Sequence, residues 1–260
     1  MRDPYLYPNS TVLKNMAEIK VQDRLDEMEA EYCSFRLSQL VMNTSNIDMT
    51  VDGLCGIHAY IFQDIYEWAG EFRAINIEKS EPALGGVSIE YSEYDNIKEE
   101  LDLILEEMRH IEWSCLDLKD LTEVFSKSMA ELWKIHPFRE GNTRTIVTFC
   151  SKYIEQMGIC IHSELFEENA VYMRTALVAA SALFSDELGD KRNYKYLEKI
   201  IYDAFEEGAK VKEIVVNMLD KYQILIENKS IQAGVYLIRK HDGKMEEISK
   251  QILNDEINDL

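Results

Sequence analysis

Apolar residues recur at three- and four-residue steps along most of the chain, the spacing that gives a helix one buried face. Between 21 and 43, Leu25, Met28, Tyr32 and Phe35 form such a stripe; Gln39 interrupts it and Met42 resumes it. The run SNIDMTVDGL breaks the pattern. A second helix is predicted over about 52–68, with Leu54, Ile57, His58, Ile61, Ile65 and Trp68 along one side. Helical spacing returns at about 95–113 and 118–135. In the latter, Leu121, Val124, Phe125, Met129, Leu132 and Trp133 are expected to face inward. A ten-residue interruption precedes another helix at about 143–157, and residues 165–228 read as two or three more. The first ten residues read as an extended arm packed on the body, with Asn9 and Ser10 as N-caps of the next element. The last thirty are charged and weakly amphipathic, with a turn at His241 to Gly243.

One segment departs from this rhythm. Residues 72 to 94, FRAINIEKSEPALGGVSIEYSEY, hold Pro82, Gly85 and Gly86 between two short β-prone pieces, INI and VSIEY. They predict a β-hairpin with a long loop. Only 4 Pro and 11 Gly occur in 260 residues, and Glu, Leu, Lys, Met and Ala lose little rotamer freedom in a helix. A mostly helical protein carrying one hairpin is therefore expected. At 46% hydrophobic the chain is globular, and long enough to bury a core without staples.

Charge narrows the partners. Asp and Glu number 48 against 28 Lys and Arg, a net charge of -20. Such a surface repels phosphate backbones and anionic lipid, so neither nucleic acid nor a membrane is an expected partner. No run approaches the 18 apolar residues of a membrane span, and no signal peptide's apolar stretch comes after MRDPYLYPNS. Cys33, Cys55, Cys115, Cys150 and Cys160 are odd in number and form no CxxC pair, which favours free thiols in a reducing compartment. A cytoplasmic protein is expected. The histidines show no metal spacing, and neither HExxH nor GxxxxGK(S/T) occurs.

The interruption before the 143–157 helix carries the candidate chemistry. It reads HPFREGNTRT, residues 136 to 145. Pro137 stops the preceding helix, Gly141 permits a tight turn, and the next helix starts near Asn142 or Thr143. The unpaired N–H groups of that first turn, with the helix dipole, form a phosphate cradle. Arg144 adds a bidentate charge-assisted contact, whereas Arg139 is left facing solvent. Glu140 beside the cradle is placed to hold Mg²⁺, which keeps most of its waters. His136 lies one short loop away, and an ordinary pKa of about 6.5 leaves it mostly neutral at pH 7, as a base must be.

The segment resembles the signature of Fic-domain proteins, HxFx(D/E)GNGRxxR, matching at His136, Phe138, Glu140, Gly141, Asn142 and Arg144. DPYLYPNSTVLKN near the start, IFQDIYEWAGEFRAINI at 61–77 and ELWKIHPFREGN are also similar to short bacterial Fic proteins. The likeness covers roughly residues 1–205, with 206–260 as a C-terminal helical extension. It implies a Fic fold, all helical with a β-hairpin flap, and a protein adenylyltransferase that moves AMP from ATP onto a Ser, Thr or Tyr hydroxyl, its own included. His136 would deprotonate the acceptor, Glu140 would place Mg²⁺, and Gly141, Asn142, Thr143 and Arg144 would bind the nucleotide. Phe138 would anchor the loop. The flap, at about 74–92, would register an extended target segment by strand addition, and its Lys79 would reach the nucleotide.

Two positions depart from the signature. Thr143 stands at its second Gly, and would be strained if that position needs positive φ. Val147 stands at its final Arg, which the resemblance assigns to the γ-phosphate. Losing one charge-assisted bond costs about 1.5–3 kcal/mol. The inhibitory pattern of many Fic proteins, (S/T)xxxE(G/N), has no clean copy. Its nearest approaches are Asp203-xxx-Glu207-Gly208 and Glu168-Asn169, with Ser163 one residue too far upstream. Inhibition by a separate small antitoxin protein is an alternative. Two other functions stay open: a Fic-fold binding or regulatory protein with weak or lost transfer, and transfer of another phosphate-containing group such as phosphocholine.

Overall fold

The computed structural model describes residues 3–42, 47–186 and 189–221. The turn expected at His241 to Gly243 and most of the C-terminal extension lie outside them. Among the described residues eight α-helices succeed one another: α1 Gln22–Met42, α2 Val51–Phe62, α3 Ile97–Arg109, α4 Leu118–Ile135, α5 Asn142–Gln156, α6 Glu164–Glu168, α7 Ala170–Ser181 and α8 Lys195–Lys221. Helix α4 is central, packing on α3, α5, α7 and α8, while α2 packs on α1 and α5. Its expected inward face is the observed one: Leu121, Phe125, Met129, Leu132 and Trp133 are buried, and Val124 is half-buried at its margin. The α2 side of Leu54, Ile57, His58 and Ile61 is fully buried as well.

Several expectations change. The stripe expected for α1 holds at Leu25, which is buried, and Met28, which is half-buried, but not at Tyr32 and Phe35, which are exposed; Glu29, Cys33 and Leu40 complete the buried face. A carboxylate can occupy the inner face because Glu29 accepts from the Tyr66 hydroxyl and the Arg144 guanidinium. Helix α2 ends at Phe62 rather than 68, and beyond it Ile65 N donates to the Phe62 carbonyl in a tighter turn. Asn9 and Ser10 cap no helix. Ser10 Oγ accepts from Val12 N, and residues 5–14 fold back on themselves through Tyr7 N to Val12 O and Lys14 N to Tyr5 O. The boundary expected near 205 falls inside α8, where Leu197, Ile200, Ile201, Ala204 and Phe205 are all buried.

The flap is a chain reversal without a strand ladder among the described residues. A single 3₁₀ turn, Pro82–Leu84, sits at its tip, and the reversal is closed by Gly86 N to Glu81 O and Glu81 N to Val87 O. Pro82 has no N–H to give a ladder. Side chains hold the arms instead: Asn76 Oδ1 accepts Tyr94 N, and the Lys79 N–H donates to Ser88 Oγ. The two described strands, β1 Phe184–Asp186 and β2 Gly189–Lys191, pair antiparallel between α7 and α8, where apolar spacing predicts only helix.

Candidate functional site

Helix α4 ends at Ile135, and His136 comes next in the left-handed region at φ 53°, ψ 59°. That conformation costs a non-glycine residue on the order of 1–3 kcal/mol and persists only where surroundings impose it. Arg73 is the main one. Its Nε donates to His136 O, its Nη1 to Ile75 O, and its Nη2 to Ile135 O and Ser92 O, while its own N–H donates to Pro137 O. The guanidinium is 2% exposed. It caps the negative end of α4 and fastens both flap arms to the motif. Nothing in the motif points to it; a lone Arg in EFRAINI reads as surface.

The His136 side chain is buried. Its Nδ1 lies 3.3 Å from Trp133 O, the geometry of an Nδ1–H donor, which leaves the Nε2 lone pair open. Nε2 has no hydrogen-bond partner. Burial above all, then the charge of Lys79, drives its pKa well below 6.5. The imidazole is thus neutral at physiological pH.

The loop beyond it closes through side chains. Asn142 Oδ1 accepts Phe138 N at 2.9 Å and its Nδ2 donates to Phe138 O at 2.7 Å. Phe138 is fully buried, its ring 3.8 Å from that of His58 and nearly parallel. His58 accepts from Gly70 N at Nδ1, so its Nε2–H donates to Glu140 O at 3.1 Å. Desolvation lowers the His58 pKa to about 4. In the sequence this support reads only as one member of an apolar face. Gly141 adopts φ 79°, and a Cβ there would lie 2.1 Å from the Phe62 ring. The next N–H groups, of Asn142, Thr143 and Arg144, precede the first intrahelical bond of α5, Thr145 N to Gly141 O. No hydrogen bond from them is seen among the described residues, and such first-turn N–H groups can form an anion cradle.

Thr143 is helical, with no positive φ, and its Oγ1 accepts from Trp133 Nε1 at 2.9 Å; the strain considered for it does not arise. The Asn142 amide is engaged inside the loop, so an anion would meet its N–H rather than its side chain. Arg144 points to α1, donating to Glu29 and, at 2.9 Å, to Cys33 Sγ. Arg139 does not face solvent; it donates to Asp3 at 2.8 and 3.0 Å and ties down the N-terminal arm. Glu140 Oε2 lies 3.0 Å from Lys79 Nζ, and its Oε1 accepts Gly141 N. Burial pushes the Glu140 pKa up, but Lys79 and the Gly141 N–H outweigh it and bring it down to about 2.

A cation already rests on this ionised, half-exposed carboxylate, so Glu140 suits a hard ion. Among the described residues no group of three or more metal-ligating side chains exists, so phosphate oxygens would have to complete any coordination. A cavity of about 460 Å³ opens beside the cradle, lined by Arg144, Val147, Glu29, Leu37, Phe166 and Met173 among others. Glu207 lies 3.8 Å from His162, on the loop before α6.

The Fic/DOC family model matches residues 48–154. The chain is 33% identical over 162 residues to the probable protein adenylyltransferase y4lH of Sinorhizobium fredii, covering 61% of this chain and 78% of that one. It is 30% identical over 156 residues to the protein adenylyltransferase VbhT of Bartonella schoenbuchensis, 60% of this chain but only 31% of VbhT. It therefore spans about a third of that relative. Among solved structures, the N-terminal Fic domain of Bep8 from Bartonella sp. 1-1C superposes with a TM-score of 0.62 at 21% identity, over 77% of this chain and 94% of that one. BepC of Bartonella tribocorum, solved with bound AMPPNP, gives 0.63 at 21%, over 78% and 97%. Fold and site together define a Fic fold, a helical bundle built around the HPFREGNTRT loop. The chain belongs to the Fic/DOC family.

Proposed function

We propose that this protein is an adenylyltransferase that moves AMP from ATP to a Ser, Thr or Tyr hydroxyl of a protein, its own chain included. The observation that carries the reading is one juxtaposition. A neutral imidazole with an open Nε2 sits at the loop whose far end presents the unpaired N–H groups of α5. His136 Nε2 takes the proton of the acceptor hydroxyl. Its oxygen attacks the α-phosphorus, a new O–P bond forms, and the bond to pyrophosphate breaks. The N–H groups of Asn142, Thr143 and Arg144, on the turn that Gly141 allows, receive phosphate oxygens. The Arg144 guanidinium adds charge there. Lys79, on the flap over Glu140, reaches the same phosphates. Glu140, with those oxygens, would hold Mg²⁺, whose chemistry is charge neutralisation on the leaving pyrophosphate. The flap arms, outside any ladder, receive an extended target segment.

Control by a separate small antitoxin protein fits better than control by Glu207, which faces His162. The five free thiols suit a cytoplasmic setting; no described helix is long and apolar enough to cross a membrane. A second reading rests on Val147: a donor other than ATP, or weakened transfer, where the signature has its final Arg. Incubation with ATP, GTP, UTP or CTP, each labelled at the α-phosphate, separates the two. Label from ATP, lost in His136→Ala, supports adenylyl transfer; label from another donor supports the second reading; none from any donor overturns transfer.

A further inference from the structure

His136 is 1% exposed, and a base that no hydroxyl can touch cannot act. The cover over it is therefore part of how it works. The Tyr91 ring, on the second flap arm, lies 4.1 Å from the imidazole, centroid to centroid. Tyr91 in turn donates its hydroxyl to Glu81 Oε1 at 3.1 Å. Glu81 is 1% exposed, an uncommon place for a carboxylate at a loop tip. There Arg174 Nη2, on α7, donates to the same oxygen at 2.8 Å. The tip turn Pro82–Leu84 packs on α7 as well.

The ties of the flap differ in kind. At its base Arg73 and Asn76 clamp the arms. Farther out, two ion pairs reach the body: Lys79 to Glu140 and Glu81 to Arg174. The first is lost whenever Glu140 is taken by another cation. The second then remains.

We infer that Arg174 is a positioning residue for His136, acting through Glu81 and Tyr91: the α7 guanidinium holds the flap down so that the Tyr91 ring covers the imidazole. Release of that pair uncovers the base to the acceptor. Arg174 lies beyond residues 48–154, the segment that the Fic/DOC family model matches. The catalytic meaning of the cover rests on His136 being the base; the cover itself does not.

The test reads exposure directly. Diethylpyrocarbonate modifies neutral, accessible imidazoles, and peptide mapping by mass spectrometry reports each histidine separately. Arg174→Met is expected to modify His136 at least fivefold faster than wild type, with His58 unchanged, and to speed amide exchange across 77–91 but not in α4. Arg174→Lys keeps a cation at the site and is expected to restore protection. Tyr91→Phe keeps the ring but loses the hydroxyl, and should fall between. Should Arg174→Met misfold because Glu81 is left buried without a partner, Arg174→Met with Glu81→Gln removes both charges and carries the same expectation. Wild-type modification rates at His136 and wild-type exchange over 77–91 in a folded variant would overturn the inference. Loss of transfer in His136→Ala would not bear on that outcome, so the two proposals fail separately.

Discussion

Gly141 packs against the Phe62 ring: any side chain on Gly141 would drive its Cβ to 2.1 Å from Phe62 Cζ and 2.3 Å from Cε2. Phe62 is fully buried and cannot retreat, and the glycine's φ of 79° is unfavourable for any other residue. The cradle thus depends on a missing Cβ. Gly141→Ala combines a left-handed alanine, about 1–2 kcal/mol, with overpacking, about 1–3 kcal/mol. A denaturant titration is expected to show a loss of about 2–5 kcal/mol by that reasoning, and nucleotide binding should be lost with it. Wild-type stability would mean that the loop adapts.

Arg73 is the second structural dependency. Its guanidinium donates to carbonyls of residues 75, 92, 135 and 136, and Arg73→Met strands them. A buried carbonyl left without its donor typically costs about 1–3 kcal/mol. The thermal midpoint should drop accordingly. In whatever remains folded, His136 should relax from its left-handed conformation, seen as a shifted imidazole resonance.

The pH behaviour stems from burial. The His136 pKa lies well below 6.5 because the charged ring loses its water and faces Lys79. The neutral form, the one the proposed transfer needs, therefore persists as pH falls through 6.5. The acid limb of kcat/KM should lie clearly below pH 6.5, and a midpoint at or above 6.5 would contradict the assignment. Stability moves in the same sense. Folded His58, lowered to about 4, resists the proton that the unfolded chain takes up near 6.5. Its contribution is whole above 6.5 and is lost as pH falls toward 4. At 1.36 kcal/mol per pKa unit that loss is about 3 kcal/mol. Chemical melts at pH 7 and pH 4.5 should differ, and His58→Phe should be less stable at pH 7 but less sensitive to pH.

Val147 tests the cost of the departure from the signature. It lines the cavity beside Arg144, with room for a longer side chain. Val147→Arg supplies one charge-assisted contact, about 1.5–3 kcal/mol or roughly 10- to 150-fold in ATP affinity. Calorimetry at fixed Mg²⁺ would measure it. No tightening would indicate that the triphosphate does not extend toward this position.

Much of this was legible in residue order. The α4 face, the end of α4 before Pro137 and the start of α5 at Asn142 came from spacing, one proline and one glycine. The motif's brevity kept His136 and Glu140 close enough to serve one site. Partners far apart in sequence were not legible. Arg73 and His58 carry no motif, since their value lies in carbonyls and rings supplied by the fold. Glu29 hid the true inner face of α1, because a buried carboxylate looks like a surface one until Arg144 and Tyr66 arrive. The flap misled for a local reason: INI and VSIEY have strand composition, but Pro82 and the side-chain clamps replace the ladder.

A crystal structure with a non-hydrolysable ATP analogue and Mg²⁺ tests the central claim most directly. The account predicts phosphate oxygens on the N–H groups of Asn142, Thr143 and Arg144, a cation on Glu140 released from Lys79, and the α-phosphorus facing His136 Nε2. A nucleotide bound away from the start of α5, or phosphates on that cradle with the α-phosphorus out of reach of the imidazole, would contradict it.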